Sequence, residues 1–153
     1  MSEAALWNQL RTGMVGRWHC QRHEDRHSKG IPDVSYGIGR SADGWLELKY
    51  LPAYPVNGDA PWDFKYAHFT AEQRNWLNNR ATNGQGRVYL CCRFGERATA
   101  IWHWRKLSPM LGTKTWSQIE AKTSAIWWGN HVDFEQLAAV LGSSRTFPLT
   151  YGP

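Results

Sequence analysis

The sequence predicts an α/β layer fold with a mixed sheet flanked by helices. Three observations carry that expectation. Apolar residues alternate strictly along WLELKYL (45–51), the signature of a strand with one face in the core. A capping pattern, Thr70 followed by Gln73, opens a helical stretch. The apolar run RVYLCCRFG (87–95) then reads as a strand buried on both faces. Strand, helix and strand in that order make a crossover if the two strands are parallel.

Taken in order, residues 3–12 read as a helix, with Ser2 as N-cap, Leu6, Trp7 and Leu10 on one face, and Gly13 as the stop. VGRWHCQR (15–22) reads as a first strand, followed by the polar stretch HEDRHSKG. IPDVSYGIG (31–39) reads as a strand entered through Pro32. RSADG is a turn before WLELKYL, with Asp43-Gly44 as the hairpin signal. LPAYPVNGDAPWDFKYAH is a long Pro-rich loop, and loops of that length in a compact domain tend to be functional. FTAEQRNWLNNRATNG (69–84) is a helix ended by Gly84 and Gly86. RATAIWHW (97–104) pairs with the strand before it through Gly95. TWSQIEAKTSAIWW (115–128) and DFEQLAAVLG (133–142) read as helices capped by Thr115 and Asp133, and the tail FPLTYGP as irregular.

A length of 153 residues favours one domain, with a core at 3–105 and a helical C-terminal extension at 106–153. No apolar run approaches the ~20 residues of a membrane-spanning helix, and the start lacks a signal-peptide pattern. Cys20, Cys91 and Cys92 do not make a disulfide framework and are expected to be reduced thiols in a cytoplasmic setting. Cys91 and Cys92 point to opposite faces of a strand and so cannot share one metal. Eighteen Lys and Arg stand against 13 Asp and Glu, and Arg outnumbers Lys twelve to six, a balance that permits a polyanionic partner. Most of the ten Trp are expected in the core.

The chemistry concentrates in residues 30–50, GIPDVSYGIGRSADGWLELKY. Glu47 and Lys49 are two apart on a strand, so they share a face, while Leu46 and Leu48 turn to the other. Asp33 sits on the preceding strand, where hairpin pairing can return it to Glu47. Two carboxylates with a backbone carbonyl make an all-oxygen site suited to Mg²⁺. Such a site serves phosphodiester hydrolysis, with the ammonium neutralising charge on the phosphate in the transition state.

The runs GIPDV and WLELKYL resemble the PD-(D/E)xK nuclease superfamily. With Phe69, Gln73, Trp76 and Leu77 following in order, then a Gly-rich break and an apolar strand, the pattern resembles its VRR-NUC branch from residue 3 to residue 95. Small phage and bacterial members of that branch are similar to Holliday junction resolvases. The resemblance implies a restriction-endonuclease-like fold with a mixed central sheet. It implies a Mg²⁺-dependent DNA endonuclease, with Mn²⁺ able to substitute, acting on branched or structured DNA. Asp33, Glu47 and the carbonyl of Leu48 would be metal ligands, and Lys49 catalytic. Gln73 would orient Lys49 or contact substrate, though it also serves as the capping partner of Thr70. An upstream acid would complete the metal shell, either Glu3 or Glu24. Arg22, Arg26, Ser28, Lys29 and Arg40 flank the site as DNA contacts.

His19, His23 and His27 recur every fourth residue, but no helical face supports them as a metal pair, and a basic loop is the simpler reading. Tyr54, Trp62, Phe64, Lys65, Tyr66 and His68 on the long loop suit either stacking on unpaired bases or packing as a surface lid. A junction needs two symmetric cuts, so a homodimer is expected, with Trp116, Ile126, Trp127 and Trp128 as interface or core. Two other function classes compete: a silent DNA-binding module on a nuclease fold, and a Trp-rich interaction protein.

Overall fold

A computed structural model of the chain describes residues 2–24, 30–39, 42–62 and 69–142. Its centre is one six-stranded sheet in the order β1 (His19–Arg22), β2 (Val34–Ile38), β3 (Ala42–Leu51), β4 (Val88–Phe94), β5 (Ala98–His103), β6 (Ala125–Trp128). Only β3 and β4 run parallel; the other neighbours are antiparallel. The sheet is therefore mixed, as expected, and the β3–β4 crossover carries α2 (Ala71–Thr82).

Helices cover both faces. On one side α1 (Glu3–Met14) lays Leu6, Leu10 and Met14, spaced by four residues, against Leu46, Leu48, Tyr89 and Cys91. The last helix, α5 (Phe134–Leu141), packs on the same side. Carbonyls of its last turn accept from sheet tyrosines: Leu141 from Tyr36 at 2.7 Å and Val140 from Tyr89 at 2.8 Å. On the other side α2, α3 (Trp104–Leu107) and α4 (Trp116–Glu120) enclose Leu90, Cys92, Phe94 and Trp102. Trp104 donates its indole N–H to Asn78 at 2.8 Å, tying α3 to α2. Every residue of β4 is buried, the result of helices on both faces. Cys91 and Cys92 lie in opposite core layers, and all three cysteines are free thiols.

The expected capping box at Thr70 forms, and the cap expected at Thr115 is a second box. Thr70 and Gln73 cap α2, and Thr115 and Gln118 cap α4. Asp133 caps α5 through its carboxylate.

Gly13 does not stop α1, which runs through it to Met14, and β1 takes only the second half of residues 15–22. Two further expectations fail. Asp43-Gly44 is not the hairpin turn: β3 begins at Ala42, and Asp43 and Gly44 pair with Gly37 and Tyr36. Gly44 is there because a Cβ would lie 2.2 Å from the Tyr36 hydroxyl and 2.8 Å from the Arg87 carbonyl. The glycine makes room for a ring rather than a turn. The stretch 115–128 is likewise not one helix. It forms α4 and then β6, which pairs Ala125–Trp128 with Ile101–Ala98. The C-terminal third thus supplies a strand to the common sheet, and it is not purely helical.

Five tryptophans, Trp62, Trp102, Trp104, Trp116 and Trp127, are buried, while Trp128 is exposed. Trp62 packs edge-on to Trp116 at 4.9 Å, so this loop aromatic belongs to the core and is not free to stack on bases. Among the described residues no helix is long and apolar enough to cross a membrane.

Candidate metal and nucleic-acid site

The β2–β3 ladder ends at the pair Val34–Leu46. Beyond it β3 continues alone on that edge, and the residue before β2, Asp33, fills the gap with its side chain. The Leu48 N–H donates to Asp33 Oδ2 at 2.7 Å. The Trp45 N–H and the Leu51 carbonyl bond toward the β4 side. Residues between them alternate, so Leu48 directs both its N–H and its carbonyl to the Asp33 side. A carboxylate and an unladdered carbonyl therefore share one sheet edge.

Gly30 holds this approach in place. It has φ of 91°, and a Cβ there would lie 2.5 Å from the Glu72 carbonyl in the first turn of α2. Only glycine lets residues 30–33 lie against the helix start. The Asp33 carbonyl also accepts from the His23 N–H at 2.8 Å, tying it to the end of β1.

Glu47 and Lys49 project on the α2 side of β3. Glu47 is 1% exposed. Its Oε1 receives Lys49 Nζ at 2.9 Å and Gln73 Nε2 at 3.0 Å. Its Oε2 is buried and has no hydrogen-bond partner. Burial, reinforced by the charge of Asp33, pushes the Glu47 carboxyl up to about 7 against the opposing pull of Lys49. The Lys49 ammonium lies 5.1 Å from the Phe69 ring centroid. Phe69 thus supports the lysine from below, a contact favourable to a cation.

Gln73 combines the two roles its position allowed. Its Oε1 accepts from the Thr70 N–H and its backbone N–H donates to Thr70 Oγ1, while its Nε2 turns to Glu47. The recorded side-chain partner is Glu47, not Lys49.

Of the two upstream acids, Glu3 is half-buried and Glu24 exposed. Burial raises its carboxyl, and it interacts with the charges of Lys49, Asp33 and Arg22. It stands in the first turn of α1, the helix that packs on β3. Glu24 is exposed and pairs with Arg22 at 3.7 Å. Arg22, at the end of β1, is half-buried between them. Among the described residues no three His, Cys, Asp or Glu side chains cluster closely enough to hold a metal. Asp33, Glu47 and the Leu48 carbonyl would make a donor set of two carboxylates and one carbonyl. It fits a hard divalent cation: the buried Glu47 Oε2 lacks a hydrogen-bond partner, and the charge of Asp33 adds to the burial that disfavours the Glu47 carboxylate. Arg26, Ser28, Lys29, Arg40 and Lys65 lie outside the described residues, as do His27, Phe64, Tyr66, His68 and the tail from residue 143.

One aromatic neighbourhood was not legible as part of the site. Trp45 shares the face of Glu47 and Lys49, and packs against Trp76 of α2 at 4.8 Å and His23 at 5.1 Å. Its period-two spacing from Glu47 is the signal that could have placed it there.

No protein-family profile and no curated protein matches the sequence. Among solved structures, the chain is similar to Hjc, a Holliday junction resolvase from the archaeal hyperthermophile Archaeoglobus fulgidus. The identity is 15%, the TM-score 0.43, and the match covers 67% of this chain and 75% of that one.

Proposed function

We propose that the chain is a metal-dependent DNA endonuclease of the PD-(D/E)xK type, in its VRR-NUC branch, acting on branched DNA. The observation that carries this reading is the buried Glu47 carboxylate: one oxygen bonded to Lys49 and Gln73, the other without a partner, facing the charge of Asp33. In this reading Asp33, Glu47 and the Leu48 carbonyl hold Mg²⁺, or Mn²⁺ in its place, and Glu3 lies close enough to contribute through water. The bound ion would polarise the phosphodiester and lower the pKa of a coordinated water.

The chain's own residues do the rest. Lys49, held by Glu47 and seated on Phe69, places a positive charge where negative charge develops on the phosphate. Gln73 fixes the rotamer of Glu47 from a capped, rigid helix start. Arg22 stands at the rim as a phosphate contact. Two symmetric cuts at a junction would call for a homodimer, working in the cytoplasm of a bacterium or of a phage-infected host.

The test is a panel of labelled four-way junction, flap, duplex and single-stranded DNA with Mg²⁺ or EDTA. Metal-dependent cutting that disappears in Asp33→Asn and Lys49→Ala supports the reading. Equal cutting by those variants would overturn it, and DNA binding without cutting in any divalent ion would point to a silent binding module.

A further inference from the structure

The face of β3 that carries Glu47 and Lys49 does not stop at the carboxylates. Two residues earlier, roughly 7 Å along the strand, Trp45 rises from the same face. It is half-buried, and its ring meets Trp76 edge-on and the His23 ring at a tilt. His23 is itself fixed by a 2.7 Å hydrogen bond to Ser35 Oγ. The side chains of β1 and β2 that enter a core layer, Cys20, Val34, Tyr36 and Ile38, all belong to the layer under α1 and α5. On the opposite face, toward Trp45, His19 and Gln21 are exposed and Ser35 half-buried, and among the described residues none of the three enters a core layer.

Trp45 also lines a pocket of about 200 Å³ whose other walls are Arg80, Gln85 and Arg87. The pocket is built, not incidental. The Trp45 N–H donates to the Arg87 carbonyl at 2.9 Å, pinning the loop after α2 to the start of β3. Gly84 and Gly86, at φ of 60° and 65°, carry that loop through two left-handed positions. Its lining carries two arginines against one carboxylate, Asp43, a net positive charge that favours an anion. An aromatic wall and a surplus of positive charge together fit one chemical unit, a base joined to a phosphate.

We infer that this pocket is a nucleotide subsite, which takes an unpaired nucleotide of the DNA strand that crosses Glu47 and Lys49. The base stacks on Trp45 and the phosphate meets Arg80 and Arg87. The inference rests on the nuclease reading for its neighbour, and it adds what that reading lacks: a physical reason for preferring DNA with an unpaired nucleotide over plain duplex.

Binding is measured in EDTA, where no cutting occurs, by fluorescence anisotropy of a flap, the same flap with an abasic site at the unpaired position, and a duplex. Trp45→Leu is expected to weaken flap binding by about 5- to 100-fold, the effect of losing one stacked base. Its affinity for the abasic flap and the duplex should match that of the parent. Arg80→Ala, an exposed position, is expected to lower the slope of log affinity against log salt by about one. Parent-like binding of all three DNAs by both variants would overturn the subsite. So would equal weakening of the abasic flap by a Trp45→Leu variant whose circular dichroism matches the parent, because the loss would then not come from a stacked base. A parent that binds as described yet cuts nothing with Mg²⁺ sinks the nuclease reading and leaves the subsite standing. A parent that binds no DNA overturns both.

Discussion

The Leu48 amide donates to Asp33 Oδ2 at 2.7 Å just past the last rung of the β2–β3 ladder. One carboxylate thus does structural and electrostatic work at once, and substitution separates the two. Asp33→Asn keeps an acceptor for the Leu48 N–H and removes the charge. It should leave stability within about 0.5 kcal/mol while abolishing Mg²⁺ binding and cutting. Asp33→Ala leaves that N–H without a partner and should cost about 1–3 kcal/mol as well. Urea denaturation in EDTA separates the variants. Equal stability of the two would show that the bond holds nothing in place.

Gln73 offers a similar separation. Gln73→Ala removes half of the capping box and the bond to Glu47, and should destabilise by about 1 kcal/mol. Gln73→Glu preserves an acceptor for the Thr70 N–H, but sets a third carboxylate against Glu47. It should fold as well as the parent at pH 5 and bind Mg²⁺ with a pH midpoint shifted upward. A Mg²⁺-binding profile identical to that of the parent would mean that Gln73 acts on the helix alone.

Glu47 makes stability depend on pH in a set direction. Its carboxyl titrates near 7 in the fold, against about 4.5 when unfolded. Between those values the native state holds a proton that the unfolded chain has lost. Stability without metal should therefore fall as pH rises from 5 to 8, by about 3 kcal/mol at most. The raised carboxyl of Glu3 acts in the same sense. Mg²⁺ should offset this loss above pH 7 and matter less at pH 5. Denaturant titrations at pH 5, 6.5 and 8, with Mg²⁺ or EDTA, check the sign; a metal effect that is larger at pH 5 contradicts it.

Gly30 touches no carboxylate, yet it should matter to the site. In Gly30→Ala the new Cβ meets the Glu72 carbonyl, and the left-handed backbone is strained, so a loss of about 1–3 kcal/mol is expected. The segment 30–33 must shift, carrying Asp33 with it. Mg²⁺ affinity should drop even where the variant remains folded by circular dichroism. Unchanged affinity would show that Asp33 is placed by the β2 pairing alone.

Much of this arrangement was legible because short-range rules govern it. Alternation along 45–51 puts Leu46 and Leu48 in one core layer and Glu47 and Lys49 on the other face, as the side-chain period requires. The caps at Thr70, Thr115 and Asp133 follow from local hydrogen bonding. The failures share a cause, in that partners distant in sequence decided the outcome. Asp43-Gly44 carries a turn signal, but the close approach of Tyr36 explains the glycine. The run Ala125–Trp128 is short and apolar, a pattern shared by helices and strands until β5 is there to pair with it. Spacing alone did not separate Glu3 from Glu24; the packing of α1 on β3 leaves Glu3 half-buried among the charges of Lys49, Asp33 and Arg22, while Glu24 is exposed.

The claim beneath all of this is that Asp33 and Glu47 hold one divalent cation between them. Crystals of the protein soaked in Mn²⁺ and measured at an energy where manganese scatters anomalously test it most directly. The account predicts a single strong peak between the Asp33 and Glu47 carboxylates, within bonding distance of the Leu48 carbonyl, and no peak there in Asp33→Asn. A peak elsewhere in the parent, or an unchanged peak in the variant, would contradict it.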